Sequence, residues 1–264
     1  MSYGYNNIIE SLESSGVSKG DVLYVMPSLW SFPLYTDGPL KDLPKYYYKA
    51  IRQCIGEEGT LVVSTCSTNL CNTDVVFNLD ETPSYLRGAF CEYVRTLNGS
   101  FRSFHPFNSY AAIGPKAKMI VDSVGRISFG PETPEGRMVE IGAKVLMLGL
   151  SPHSCSTVHL VEHAVGSPYR YMKEFMHPVL RNEKVEIEPF YFHVYYRDMD
   201  LKGDGNRKIV KGLEKKMSFN RTRLDEGEIY VFSIKEYYEH GIKLFTENPY
   251  IWCEHSPKIR PYQK

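Results

Sequence analysis

"GVSKGDVLYVMPSL", residues 16–29, carries the pattern that decides the fold. Two glycines turn the chain into an apolar run, Val22 to Met26, which stops at Pro-Ser-Leu. "GTLVVSTCS", residues 59–67, repeats the arrangement: a glycine, a short β-branched run, and an end in hydroxyl side chains. Between them, "KDLPKYYYKAIRQCIG", residues 41–56, has helical apolar spacing and Gly56 as its stop. A strand, a helix and a second strand form the unit of an open α/β sheet. Such sheets bind ligands where their strands end.

The flanking segments extend this pattern. Residues 6–15 read as an amphipathic helix with Ile8, Ile9 and Leu12 on its apolar face. Residues 68–84 are polar and aperiodic and read as a long surface loop. "PSYLRGAFCEYVRTLNG", residues 83–99, reads as a helix entered at Pro83 and closed by Asn98-Gly99. "GAKVLMLGL", residues 142–150, is a buried strand, and "STVHLVEHAVG", residues 156–166, a helix capped by Ser156 or Thr157. Beyond residue 167, "EPFYFHVYYRDMD" alternates like an exposed strand. "GEIYVFSIKEYYEHGIKLFTENP", residues 227–249, is a strand running into a terminal helix. The expected fold is a three-layer α/β/α arrangement around a central mixed sheet, with a β-rich C-terminal extension.

Composition bounds the function. With 264 residues, 42% hydrophobic and 23% charged, the chain has the make-up of an ordinary globular protein. Its 31 basic and 31 acidic side chains cancel, which argues against nucleic-acid binding or a membrane-surface role. The start lacks a signal-peptide pattern and no apolar run suits a spanning helix. The six cysteines form no C-x-x-C pair and read as reduced thiols of a cytoplasmic protein. Neither G-x-G-x-x-G after a strand nor a P-loop is present, which argues against nicotinamide cofactors and nucleoside triphosphatase activity.

Two stretches hold chemistry. "RSFHPFNSYAAIGP", residues 102–115, sets His105 among polar side chains, where it is either structural or a general base. "VHLVEH" brings His159, Glu162 and His163 to one helix face, because residues three and four apart are neighbours. The pattern also matches H-x-x-E-H, in which two histidines hold zinc and a glutamate acts as base. Nothing obvious supplies a third ligand, although Glu174, Glu183 or Glu186 could in principle. The plain alternative is a surface His–Glu pair. The remaining alternative couples the helix to His105, with Glu162 fixing the tautomer of that ring and balancing its charge.

The chain resembles the aminoglycoside 3-N-acetyltransferase family, the antibiotic N-acetyltransferase type distinct from GCN5-like enzymes. Five blocks carry the resemblance in order: "GVSKGDVLYVMPSLWSF", "GTLVVSTCS", "FNLDETPSYLRGAFCEYVRTLNGSFRSFHPFNSYAAIGPKA", "FGPETPEGRMVEIGAKVLMLGL" and "STVHLVEHAVGSPYR". The resemblance implies that residues 1–264 form a single acyl-CoA-dependent N-acyltransferase domain. It implies His105 as catalytic histidine, Glu162 and His159 as the pair of the His-x-x-Glu helix, and no metal. It also implies that Ser28, Leu29 and Ser31 lie along the pantetheine and phosphates of acyl-CoA, the co-substrate. Ser109 and Thr157 match polar positions near the thioester. The pattern departs around Phe32-Pro33, at Cys66 and Asn108, and at Thr133-Pro134.

The implied reaction is direct transfer, with His105 taking the amine proton and no covalent acyl-enzyme. Acetyl is the default group, although the altered Ser-Leu loop is compatible with a longer or hydroxylated chain. The neutral chain, its basic stretch around Arg207 to Arg223 and its 20 tyrosines favour an anionic acceptor over a polycation. The expected acceptor is therefore a nucleotide-linked amino sugar, such as a dTDP sugar of surface-polysaccharide synthesis. An aminoglycoside antibiotic is the alternative, and a zinc hydrolase a distant one. A monomer or homodimer is expected.

Overall fold

The structure, a computed structural model, describes residues 2–260. Its elements follow in chain order. Helix α1 (Tyr5–Ser14) leads to strand β1 (Val22–Pro27), helix α2 (Leu43–Ile55) and strand β2 (Thr60–Ser64). Then come α3 (Gly88–Arg95), β3 (Phe101–Arg102), β4 (Tyr110–Ile113), α4 (Ala117–Val121), α5 (Pro134–Glu140) and β5 (Lys144–Leu148). Helix α6 (Val158–Val165) precedes a long hairpin, β6 (Arg170–Arg181) and β7 (Lys184–Tyr195). Helix α7 (Arg207–Leu213), β8 (Asn220–Leu224), β9 (Gly227–Ser233) and α8 (Ile234–Glu247) complete the described chain.

Seven strands form one sheet in the order β3-β4-β2-β1-β5-β9-β8. β1 pairs in parallel with both β2 and β5, and the other neighbours are antiparallel, so the sheet is mixed as expected. Its central strands are buried on both faces, which is why they read as nearly continuous apolar runs. Leu23 and Val25 face α1, α2 and α3 through Ile8, Leu12, Tyr47, Ile51 and Phe90. Tyr24 and Met26 face the opposite layer, built on Met138, Val158, Val161, Tyr237 and Phe245. In α2 the buried side chains Leu43, Tyr47, Ala50, Ile51 and Cys54 recur at intervals of three and four. Burying a large aliphatic or aromatic side chain contributes about 1.5–3 kcal/mol.

The β-rich C-terminal part divides. β8 and β9 extend the central sheet beyond β5, whereas β6 and β7 form a separate two-stranded arm. One local expectation is corrected: helix α3 starts at Gly88, not at Pro83. Leu86 and Gly88 have φ of 54° and 82°, which breaks any helix entering from Pro83. The cap of α6 is corrected as well. Thr157 stands at the N-cap but makes no capping bond, and the Ser156 hydroxyl turns to Glu135.

β1 continues into β2 on one side and has β5 on the other. The ends of these three parallel strands therefore meet at the point where strand order reverses, the usual place for a ligand crevice.

Candidate active site

A cleft of about 660 Å³ opens there, the size of a small-molecule site. Ser64 at the end of β2, Cys66, Tyr110 of β4, Ser156 and His159 line it from the sheet and α6. Arg170, His193 and Tyr195 enter from the hairpin, and Asn206 and Trp252 from later loops.

The first turn of α6 carries the chemistry. His159 Nδ1 lies 2.7 Å from Glu162 Oε2, three residues on, so the helix alone brings the pair together. The His159 side chain is 34% exposed and Glu162 is fully buried. Tyr169 donates its hydroxyl to Glu162 Oε1 at 2.6 Å. Arg170 Nε sits 2.7 Å from Oε2, but its N–H is not aimed at that oxygen, so the contact is an ion pair rather than a hydrogen bond. Both partners follow the turn at Gly166, whose φ of 64° ends α6 and folds the chain back onto it. Burial works against a charged Glu162, but His159, Arg170 and Tyr169 outweigh it and hold the carboxyl down at about 2. A carboxylate at Nδ1 keeps the proton there and turns Nε2 into the basic nitrogen. The Arg170 guanidinium is itself packed against the rings of Tyr195 and Trp252.

Sequence reasoning missed a second carboxyl. Glu135, on α5, is 1% exposed beneath the cleft. Its Oε1 accepts from Tyr110 at 2.7 Å, Ser156 at 3.1 Å and Tyr24 at 3.2 Å. The available signal was the Thr133-Pro134-Glu135 helix start, with Thr133 accepting from Gly136 N. Arg87 was also missed. Its Nε is 2.7 Å from Cys66 Sγ at the cleft wall.

Other expected site residues stand elsewhere. His105 is not brought to Glu162, and its pairing with that carboxyl is corrected. It is 2% exposed, packed edge-on against Phe107 and Phe190. Its Nδ1 accepts from the backbone of Phe107 at 3.2 Å and Asn108 at 3.0 Å, which closes the turn into β4. Burial pushes its pKa down to about 4. Ser109 is an internal strut, bonded to the Thr65 carbonyl and approached by Arg102. Thr157 is fully buried behind the cleft wall. Ser28, Leu29 and Ser31 form the loop after β1, outside the cleft lining, with Ser31 bonded to the Gly149 carbonyl. A side chain at Gly149 would strike the Ser28 carbonyl, so glycine lets this loop seat on the end of β5. Burial raises the Cys155 thiol to about 12, consistent with a packing role.

The family model described as aminoglycoside 3-N-acetyltransferase matches residues 36–246. The chain belongs to this family. Aminoglycoside N(3)-acetyltransferase IV of Salmonella is 32% identical over 164 residues, which is 61% of this chain and 59% of that relative. The chain thus spans about three fifths of that relative's length. Two solved structures share the fold of this acetyltransferase-family chain. Sisomicin-bound AAC-VIa has a TM-score of 0.81 at 21% identity, covering 94% of this chain and 99% of its own. The binary complex of AAC-IIIb with CoASH has a TM-score of 0.81 at 18% identity, covering 97% and 100%.

These findings bear out the family resemblance. They overturn the nucleotide-linked amino sugar as acceptor, because the matched family and relatives carry aminoglycoside names. The physical reason is that overall charge does not report the charge of a cleft. The neutral total is a sum over the whole chain, and it did not identify the acceptor of a cleft lined by Arg87, Arg170 and Arg197 with two carboxyls, Glu162 and Glu135, buried nearby. The zinc reading loses its glutamate, which is engaged by His159, Arg170 and Tyr169. Among the described residues, no group of three or more His, Cys, Asp or Glu could hold a metal, and no helix is long and apolar enough to cross a membrane.

Proposed function

We propose that this protein transfers an acetyl group from coenzyme A to the 3-amino group of an aminoglycoside. The observation that carries this reading is the His159–Glu162 pair, with His159 lining a cleft in a chain of the aminoglycoside acetyltransferase family. Acetyl-CoA supplies the activated thioester. His159 Nε2 takes the proton that the amine loses as it attacks, and Glu162 balances the imidazolium that forms. Tyr169 and Arg170 keep Glu162 ionised and aimed. His193 Nδ1 and Asn206 Oδ1 are buried, lack partners and belong to residues lining the cleft. They suit the amides of a pantetheine arm, which would bond polar atoms otherwise left unsatisfied. The loop of Ser28, Leu29 and Ser31 is our proposal for the pantetheine and phosphate end of the donor, supported by the family resemblance. Ser109 and Thr157 are better read as supports of the cleft wall.

The test is release of coenzyme A thiol from acetyl-CoA in the presence of sisomicin- or gentamicin-type acceptors. Thiol release that depends on the aminoglycoside is expected. Its absence across such a panel would overturn the reading.

A further inference from the structure

Acyl transfer to an ammonium removes two protons from one nitrogen, whereas His159 has a single free ring nitrogen. The first proton must leave before the nitrogen has a lone pair with which to attack. The second leaves as the amide forms. A base beyond the His159–Glu162 pair therefore has work at this site.

Glu135 has the geometry for it. Its Oε1 collects three hydroxyl donors, two of which, Tyr110 and Ser156, also line the cleft. Its Oε2 is buried without a partner, and none of the ion pairs among the described residues includes this carboxyl, on which His159 acts only from a distance. Buried carboxylates are ordinarily paired with a cation, because taking the charge out of water is costly. A purely structural clamp between β1, β4 and the entry to α6 would need only an amide. A carboxylate differs in being able to take up a proton.

Tyr24, Tyr110, Ser156, Cys155, His159 and Tyr237 are the titratable or hydroxyl groups facing Glu135 from β1, β4, the loop before α6, α6 itself and α8. Burial raises the three tyrosines and Cys155, which stay neutral. Burial also raises Glu135, despite its hydroxyl partners.

We propose that Glu135 is a second proton acceptor of the cleft, reached from the bound ammonium through the Ser156 hydroxyl. The ammonium N–H breaks and its proton bonds to Ser156 Oγ, while the Ser156 proton passes to Glu135 Oε1. The products are a neutral amine and a neutral carboxyl. His159 then takes the second proton during attack and passes it to the coenzyme A thiolate as the C–S bond breaks. The proton on Glu135 returns to solvent after the product leaves. This inference rests on the amine-acylating reading above and is tested by two separable readouts.

The first readout is infrared titration of the whole protein, without substrate. A buried, protonated carboxyl band should titrate above the ordinary carboxylate range and be missing in Glu135→Gln. Its midpoint should rise in Ser156→Ala, which removes a donor to the charged form. No such band overturns the proposal, whatever the thiol assay gives. The second readout is the pH dependence of kcat/KM. Glu135→Gln should lose about tenfold to hundredfold at neutral pH. The loss should close as pH rises and the acceptor arrives already deprotonated. Ser156→Ala should show the same closing pattern, which serves if the Gln variant folds poorly. A loss equal at every pH makes Glu135 structural and overturns the proposal. A titrating band together with wild-type protein inactive on every aminoglycoside overturns the functional reading and leaves the proton acceptor supported.

Discussion

Replacing Glu162 by glutamine removes one charge and little else. The amide can keep its oxygen toward His159 and Arg170 and donate to the Tyr169 hydroxyl, which can accept. What disappears is the countercharge to Arg170, whose side chain is only 5% exposed. Two routes give the size of the effect. The Glu162 carboxyl is held at about 2 against an ordinary 4.5. Each pH unit of that gap is worth about 1.4 kcal/mol, which gives about 3 kcal/mol. Breaking a buried ion pair by removing one partner costs about 3–5 kcal/mol, in the same range. The sign follows from the lowered pKa. The stabilisation is fully present above pH 4.5 and is lost as pH falls toward about 2. Urea unfolding should therefore show Glu162→Gln about 3 kcal/mol less stable at neutral pH, with a melting temperature roughly 6–12 °C lower. The gap between variant and wild type should shrink on acidification through that window. A deficit under about 1 kcal/mol, or one that persists unchanged into acid, would refute the assigned network.

Further outcomes follow from the same geometry. His159→Ala should lower thiol release by at least about a hundredfold while leaving coenzyme A binding in place. His105→Ala should instead cost about 2 kcal/mol or more in stability by emptying its aromatic pocket, with the pH–rate profile unmoved. Equal effects of the two variants on that profile would contradict the division of roles. His105 also sets an acid limb of stability. A buried neutral imidazole at about 4 against 6.5 unfolded contributes fully above pH 6.5 and loses about 3 kcal/mol as pH falls to about 4. His105→Gln should flatten denaturant midpoints across that window. Arg87 adds a like charge to a cleft that we propose takes a polycation. Arg87→Met should raise kcat/KM for acceptors bearing several ammonium groups by about threefold, less so at high salt.

The elements that place the site were legible wherever the information is local. β1, β2 and β5 are short apolar runs with clear stops, and α2 and α8 carry 3.6-residue apolar stripes. The His159–Glu162 pair was legible for the same reason, since a spacing of three on a helix is already a contact. The start of α3 was not. Leu86 takes a left-handed conformation that its side chain disfavours, and that conformation goes with the Arg87 contact to Cys66, 21 residues earlier.

What the sequence by itself determined is the strand-helix rhythm, the family and the presence of a His-x-x-Glu pair, because each is written in neighbouring residues. Tertiary structure alone decided which histidine faces the cleft. The sequence and its family resemblance point to His105 as the base, but that ring is sealed by Phe107 and Phe190, whereas His159 opens beside Glu162. It alone assembled Tyr24, Tyr110, Glu135 and Ser156, which come from four separate segments and meet around one carboxylate oxygen. Burial and charge at a site are sums over neighbours distant in sequence, and those sums exist only once the chain has folded.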